Sequence, residues 1–278
     1  MSAKDTRCII HHPYVVAKMC LFSFFLAPLR LLGIFGVGFL FIVGFEIISR
    51  VNTSKRVMDV FCRIMSHLFL FCASIVVRTK GTPDPRARLW TSTHQHVADG
   101  FAIVAAGGPT RVLAKKQAGN IPILGYAARK WNAIFVDRRS PESRAEAMKK
   151  MKEAVTSTGE DAPLLVYPEG TTSFGDEVLG FHKGVFGLGR IWVQPIVVSY
   201  PYRYMNTCLG YVDNPRPAFC NLWLLMCQVV TPCTVEFLEP VFLDMDTAEE
   251  NADKVRNHII TCTGRTDNNT LFKAPKNE

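Results

Sequence analysis

From Met19 to Ile48 the sequence is almost without charge, the exceptions being Arg30 and Glu46. Within that stretch Leu31 to Phe45, LLGIFGVGFLFIVGF, has none at all. Extended to Ile48, the run reaches about the 18 to 20 residues needed to cross a hydrocarbon layer. The preceding apolar run, Met19 to Leu29, is too short to span and contains Pro28, whose ring disfavours one straight helix. One spanning helix, or a bent helical pair that enters and leaves a single leaflet, would each fit; a buried core helix is the bland alternative. A basic start, a short apolar run and a small-residue cleavage site do not occur together, which argues against a signal peptide.

Other absences narrow the partners. None of the nine cysteines forms a C-x-x-C pair, and several (Cys20, Cys62, Cys72, Cys227) stand inside apolar runs, where a small buried thiol is the ordinary reading. This pattern suits a reducing compartment. Zinc-finger spacing is absent and the basic residues are scattered pairs, so nucleic acid is not an expected partner. The calcium-binding pattern D-x-[DN]-x-[DN]-G, internal repeats and low-complexity segments are missing too. What is present is a net charge of +8 beside an apolar segment, which points to anionic lipid surfaces or phosphate-bearing substrates.

The pattern of elements predicts an α/β fold, a mixed sheet flanked by helices, behind an N-terminal membrane-embedded helical segment. Residues 1–50 form the membrane segment, 51–79 an amphipathic helix and connector, 80–262 the catalytic domain, and 263–278 a polar tail expected to fray after Gly264. In the connector, Val57, Val60, Phe61, Ile64, Leu68 and Phe71 recur at helical spacing, before a strand at SIVVRTKG. Further strands are expected at RLWTST, RVLAKK, AIFVD, PLLVYPEG, WVQPIVVSY and TVEFLEPV. Helices are expected at IPILGYAARKW and LGFHKGVFGLGR, and from Ser140-Pro141, an N-cap and first-turn proline, to near Gly159. In this last helix Ala147, Met148, Met151, Ala154 and Val155 share a face.

The chemistry begins with THQHVADG, residues 93–100. Alternating His94 and His96 would share one face of a strand, as metal ligands do, but no other histidine-rich cluster supplies the missing ligands. Alternatively, His94 and Asp99, with four residues between them, can meet across a turn into a helix. A carboxylate that accepts the Nδ1 proton fixes the imidazole tautomer and lets Nε2 deprotonate a hydroxyl. The plainest reading is that the two residues merely stitch a strand-to-helix turn. The company downstream favours chemistry: Arg138 and Arg139 end one strand, and Glu169, Gly170, Thr171, Thr172 and Ser173 form a loop after another. Such strand ends converge in α/β sheets, and guanidiniums there suit phosphate.

In that order, HQHVAD, FVDR, YPEGTTS and VQPIVV resemble the four signature blocks of the glycerolipid acyltransferase family, across about Arg78 to Pro240. The resemblance implies that His94 is the general base and Asp99 its orienting residue. It implies that Arg138 holds the acceptor phosphate, that Glu169, Gly170 and Thr171 position the acceptor's glycerol portion, and that Pro195 shapes the acyl-binding side. It also implies acyl-CoA as co-substrate, no metal or other cofactor, membrane lipids as partners, and the endoplasmic reticulum membrane with the catalytic domain facing the cytosol. His96 is left as a flanking residue.

Two positions depart from the family pattern. Asn132 replaces a glycine three residues before Phe135, which a left-handed backbone tolerates. Thr172 replaces an arginine usual in enzymes acting on lysophosphatidic acid. A phosphate monoester carries close to two charges and rewards a second guanidinium, whereas a phosphodiester carries one. The expected acceptor is therefore a lysophospholipid with a head group, as in the lysophosphatidylcholine and lysophosphatidylethanolamine branch. Lysophosphatidic acid is the alternative within the class; a non-catalytic binder of anionic lipid and a metallohydrolase are the alternatives outside it.

Overall fold

The computed structural model describes residues 17, 21–22, 25–51, 54–121, 124–137, 139–157, 162–173, 176–200, 223 and 226–272. The first elements are α1 (Leu26–Arg50), α2 (Lys55–Cys72), β1 (Ile75–Lys80), β2 (Leu89–Ser92) and α3 (Asp99–Gly107). Next come β3 (Arg111–Lys115), α4 (Leu124–Lys130), β4 (Ile134–Val136), α5 (Pro141–Thr156), β5 (Leu164–Val166) and β6 (Glu177–Val178). The chain ends with β7 (Trp192–Ser199), β8 (Thr231–Phe237), β9 (Val241–Phe242), α6 (Ala248–Thr263) and β10 (Thr266–Asp267). It divides into two compact units, one of Met1–Lys80, Gln95–Pro109 and Val198–Val235, the other of Gly81–His94, Thr110–Val197 and Glu236–Glu278.

In the first unit, α1 is the one helix among the described residues long and apolar enough to cross a membrane. Its 25 residues extend about 37 Å at the α-helical rise. Pro28 lies in the first turn, where no intrahelical partner awaits its missing N–H, so the helix runs on without a break. Leu29, Leu32, Phe35, Phe39 and Ile47 are exposed, whereas Phe41 and Phe45 are buried. Phe41 stacks on Phe61 of α2 at 5.9 Å. The approach depends on Gly44, where an added Cβ would sit 2.7 Å from the Phe61 ring.

Helix α2 forms where its apolar spacing predicts, but it packs through a different face. Cys62, Ser66 and Leu70 are buried, while Val57, Val60, Ile64, Leu68 and Phe71 face outward. Phe69, between these faces, stacks on Phe101 of α3 at 4.0 Å. The more apolar side is thus left uncovered by protein, and it adds to the outward residues of α1.

In the second unit the strand order is β7-β2-β5-β3-β4, with β9 on β7. Neighbours along that path are parallel, and β9 is antiparallel to β7, so the sheet is mixed as expected. Thr91 is registered against Val166 on one side and Pro195 on the other. Strand β2 is buried along its whole length, as suits a strand with neighbours on both edges. Helix α5 covers the sheet: the Ser140 hydroxyl accepts the Ser143 N–H at 3.0 Å and Pro141 opens the first turn. Ala147, Met151, Ala154 and Val155 are buried on its inner face against Leu89, Leu164 and Val166, with Met148 partly buried beside them.

Helix α6 begins with a capping box in which the Thr247 hydroxyl and the Glu250 carboxylate each serve the other's backbone N–H. The chain does not fray immediately after Gly264. Thr266–Asp267 pairs in parallel with Glu177–Val178, and the buried Arg256 guanidinium bonds the Leu179 and Val178 carbonyls and the Asp267 carboxylate. Arg256 is 2% exposed, and these acceptors are what make its burial tolerable.

Candidate active site

Because β2, β3, β4 and β5 run parallel, the loops that follow them leave the sheet at one end. His94 follows β2, Lys115 and Lys116 close β3, Asp137 and Arg139 follow β4, and Tyr167 to Ser173 follow β5. The sequence-predicted residues His94, Glu169, Gly170 and Thr171 therefore stand on loops from the same sheet end. Arg138, predicted to hold phosphate, lies outside the described residues. Its neighbours are organised: the Asp137 carboxylate accepts the Arg139 N–H at 3.0 Å, and the Ser143 hydroxyl accepts the Asp137 N–H at 2.9 Å.

The His94 ring is half-buried and stacks on Tyr167, centroids 4.0 Å apart and planes at 25°. Its carbonyl accepts the Ser173 N–H at 2.7 Å, with the Ser173 hydroxyl a longer donor at 3.4 Å. The loop after β5 thus holds the base candidate both by its ring and by its backbone. Gly170 in that loop has φ +72°, a left-handed conformation that glycine adopts without strain.

Glu169 is fully buried. Ser173, the Leu179 backbone and the charges of Arg265 and Arg256 draw its carboxyl toward ionisation, but neither oxygen has a hydrogen bond of standard geometry. Burial outweighs them and pushes the group up to about 8.

Asp99 opens α3 and is also fully buried. Its Oδ2 accepts the N–H groups of Gln95 at 2.7 Å and His96 at 2.9 Å, both from the loop that carries the motif. Its Oδ1 accepts the Tyr200 hydroxyl at 2.7 Å. The His96 ring is buried, and its Nδ1 accepts the Ala98 N–H at 3.0 Å. That bond fixes Nδ1 as the unprotonated nitrogen and makes His96 part of the turn. Among the described residues no group of three or more His, Cys, Asp or Glu side chains converges as a metal site.

Pro195 is buried in β7 and has no N–H for the ladder, while its carbonyl accepts the Leu238 N–H at 3.0 Å. The sequence reading placed Ser173 in the loop after β5 but gave it, Tyr167 and Tyr200 no role at the site. Tyr167 and Ser173 are the first and last residues of the third block, YPEGTTS, so membership of the motif could have flagged them. Tyr200 has no such signal, since only the fold brings it to Asp99.

Comparison with known proteins identifies the family and the fold. Residues 76–199 match the family model described as Acyltransferase. The chain is 33% identical to Lysophospholipid acyltransferase LPCAT4 of Xenopus tropicalis over 189 residues, 67% of this chain and 35% of that one. It is 28% identical to Lysophosphatidylcholine acyltransferase 2 of Homo sapiens over 221 residues, 76% of this chain and 39% of that one. The chain thus spans little more than a third of the length of these curated relatives. In fold it is similar to the 1-acyl-sn-glycerophosphate (LPA) acyltransferase PlsC from Thermotoga maritima, with a TM-score of 0.59, 18% identity, and coverage of 86% of this chain and 96% of that one. Its signature blocks, its mixed sheet and these matches together show that the chain belongs, through the segment around residues 76–199, to the glycerolipid acyltransferase family.

Proposed function

We propose that this chain transfers a fatty acyl group from acyl-CoA to the free hydroxyl of a lysophospholipid, with His94 as general base and Asp99 as its orienting residue. The observation that carries this reading is the loop from β2 to α3. It presents a half-buried imidazole stacked on Tyr167, and it ties a fully buried carboxylate to two of its own amides. A base that takes a proton and returns it within one turnover benefits from such fixed partners.

In the reaction, the lysolipid hydroxyl oxygen attacks the thioester carbonyl carbon as His94 Nε2 takes the hydroxyl proton. The tetrahedral intermediate then collapses with cleavage of the C–S bond, and the imidazolium returns the proton to the departing thiolate. An oxygen ester replaces a thioester, and the reaction so written uses no metal or other cofactor. Asp99 would accept a hydrogen bond from His94 Nδ1–H and stay ionised, and Arg138 would hold the acceptor phosphate. Glu169, Gly170 and Thr171 would position the glycerol portion, and Pro195 would shape the acyl side. The apolar outer faces of α1 and α2 support a membrane address, which we assign to the endoplasmic reticulum with the catalytic segment facing cytosolic acyl-CoA.

The test is transfer from labelled acyl-CoA by the full chain in purified membranes, for wild type, His94→Ala and Asp99→Ala. Loss in both variants is expected, and full retention by both would sink the reading. Liposome binding without any release of CoA by the wild type would favour a non-catalytic lipid binder instead. A second acceptor reading, lysophosphatidic acid, is favoured by Lys115, Lys116 and Arg139 at the same sheet end, since several cations suit a dianion. Thr172 speaks for the head-group-bearing lipids, and a strong preference for lysophosphatidic acid across an acceptor panel would reverse that choice.

A further inference from the structure

Tyr200 follows the last residue of β7, 101 positions from Asp99 along the chain, and belongs to none of the four signature blocks. It is 4% exposed, and its hydroxyl donates to Asp99 Oδ1 at 2.7 Å. A hydrogen bond from a buried hydroxyl to a carboxylate is short and strong because the acceptor carries charge. The other carboxylate oxygen is engaged by the Gln95 and His96 amides, so three donors from two distant parts of the chain fix the carboxylate plane. The titratable groups facing the phenol are Asp99 itself, the Cys233 thiol of β8, and the His96 ring, edge-on at 5.9 Å. Burial first, then the charge of Asp99, holds the Tyr200 phenol well above the usual tyrosine range. Burial likewise pushes Cys233 up to about 12. Phenol and thiol therefore both stay protonated through the working pH range, and Tyr200 remains a donor.

We propose that Tyr200 is a positioning residue of the acyl transfer: by holding Oδ1 of Asp99 and drawing off part of its negative charge, it sets the direction and strength of the carboxylate's pull on the catalytic imidazole. The inference rests on the reading of His94 and Asp99 as the proton-transfer pair. Without the Tyr200 hydroxyl, the carboxylate keeps its two amide donors but carries more unshared charge on Oδ1 and is free to turn. Greater charge favours the imidazolium, and looser orientation slows transfer.

The experiment is the pH dependence of kcat and kcat/KM for Tyr200→Phe in the full chain in membranes, beside wild type, His94→Ala, Asp99→Asn and the Tyr200→Phe/Asp99→Asn double variant. We expect a roughly fivefold to tenfold fall in kcat with both KM values unchanged, and an acid limb moved up by about half a unit. In the double variant, Tyr200→Phe should add no further loss to that of Asp99→Asn, because its effect passes through the carboxylate. A hydroxyl whose bond to Asp99 were only structural would alter thermal stability and leave the limb in place.

Wild-type kcat and limb in Tyr200→Phe, with kcat lost in His94→Ala and strongly lowered but measurable in Asp99→Asn, would overturn this inference and leave the reading of the pair standing. Full activity in His94→Ala would instead overturn that reading. Should Tyr200→Phe fail to fold, 3-fluorotyrosine at position 200 keeps the shape and strengthens the donor. The limb should then move down, and an unmoved limb would overturn the proposal.

Discussion

The Ser173 N–H donates to the His94 carbonyl at 2.7 Å, so the loop of the third signature block holds the backbone of the first. The bond is made by the main chain, and the Ser173 hydroxyl adds only a longer contact at 3.4 Å. Side-chain and backbone replacements at this position should therefore differ sharply. Ser173→Ala keeps the amide donor and should retain activity within about threefold, since it removes only the longer hydroxyl contact and the hydroxyl's pull on Glu169. Ser173→Pro removes the donor and should lower kcat by roughly tenfold or more. The measurement is labelled acyl transfer, with circular dichroism to establish that both variants fold. Equal activities in the two variants would remove the backbone bond from the explanation.

Glu169 gives a prediction about stability. Its carboxyl lies at about 8 in the folded chain against an ordinary 4.5, so between those values the folded chain keeps a proton that the unfolded chain has released. The folded state then binds more protons, and its stability falls as pH rises. The contribution is fully present below about 4.5 and is lost as pH climbs to about 8. Glu169→Gln is close in shape and carries no charge at any pH. The fall in melting temperature from pH 5 to pH 8 should accordingly be smaller in Glu169→Gln than in wild type, by roughly 2–4 °C for each kcal/mol of linkage removed. Parallel melting curves across that range would show that Glu169 does not titrate as its burial implies.

The uncovered faces of α1 and α2 set up a membrane-binding prediction. Val60, Ile64 and Leu68 project outward from α2 at helical spacing, and apolar surface left open in this way marks a surface meant to be covered. Replacing all three by serine removes apolar contact without touching Cys62, Ser66 or Leu70, which pack inward. Sedimentation with vesicles containing anionic lipid should show weaker association, while the melting temperature in detergent changes little. A large drop in the detergent melting temperature with unchanged sedimentation would mean that the face is covered by protein instead.

How far the sequence could reveal all this depended on the range of each interaction. Helix α5 was legible from Ser140, Pro141 and its apolar stripe because caps and helical periodicity are local, and the parallel strands were legible as short apolar runs between helices. Local pattern misled for α2, where Val57 to Phe71 showed a helix but not which side would be buried, because burial depends on what the neighbouring helices offer. At the site, His94, Asp99 and Glu169 stand in contiguous motifs. The Tyr200 contact spans 101 positions, a distance over which spacing carries no signal. The expectation of a polar tail that frays after Gly264 failed for the same reason, because Arg256 and Asp267 meet only when α6 and β10 are in place.

Asn132 lends itself to a backbone test of the second signature block. It has φ +53°, the left-handed region, at the position where the family pattern has glycine. Asparagine tolerates that region better than other residues with a Cβ, because its short side chain can bond locally. Asn132→Gly should be neutral to slightly stabilising. Asn132→Val should cost on the order of 1–3 kcal/mol, since a β-branched side chain clashes there. Strand β4 begins two residues later and leads to Arg138, so the strained valine variant should also weaken acceptor binding, seen as a raised KM for the lysolipid with little change in the KM for acyl-CoA. Glycine and valine variants that melt together would show that this backbone position is not constrained, and the tolerance of the block for asparagine would then need another cause.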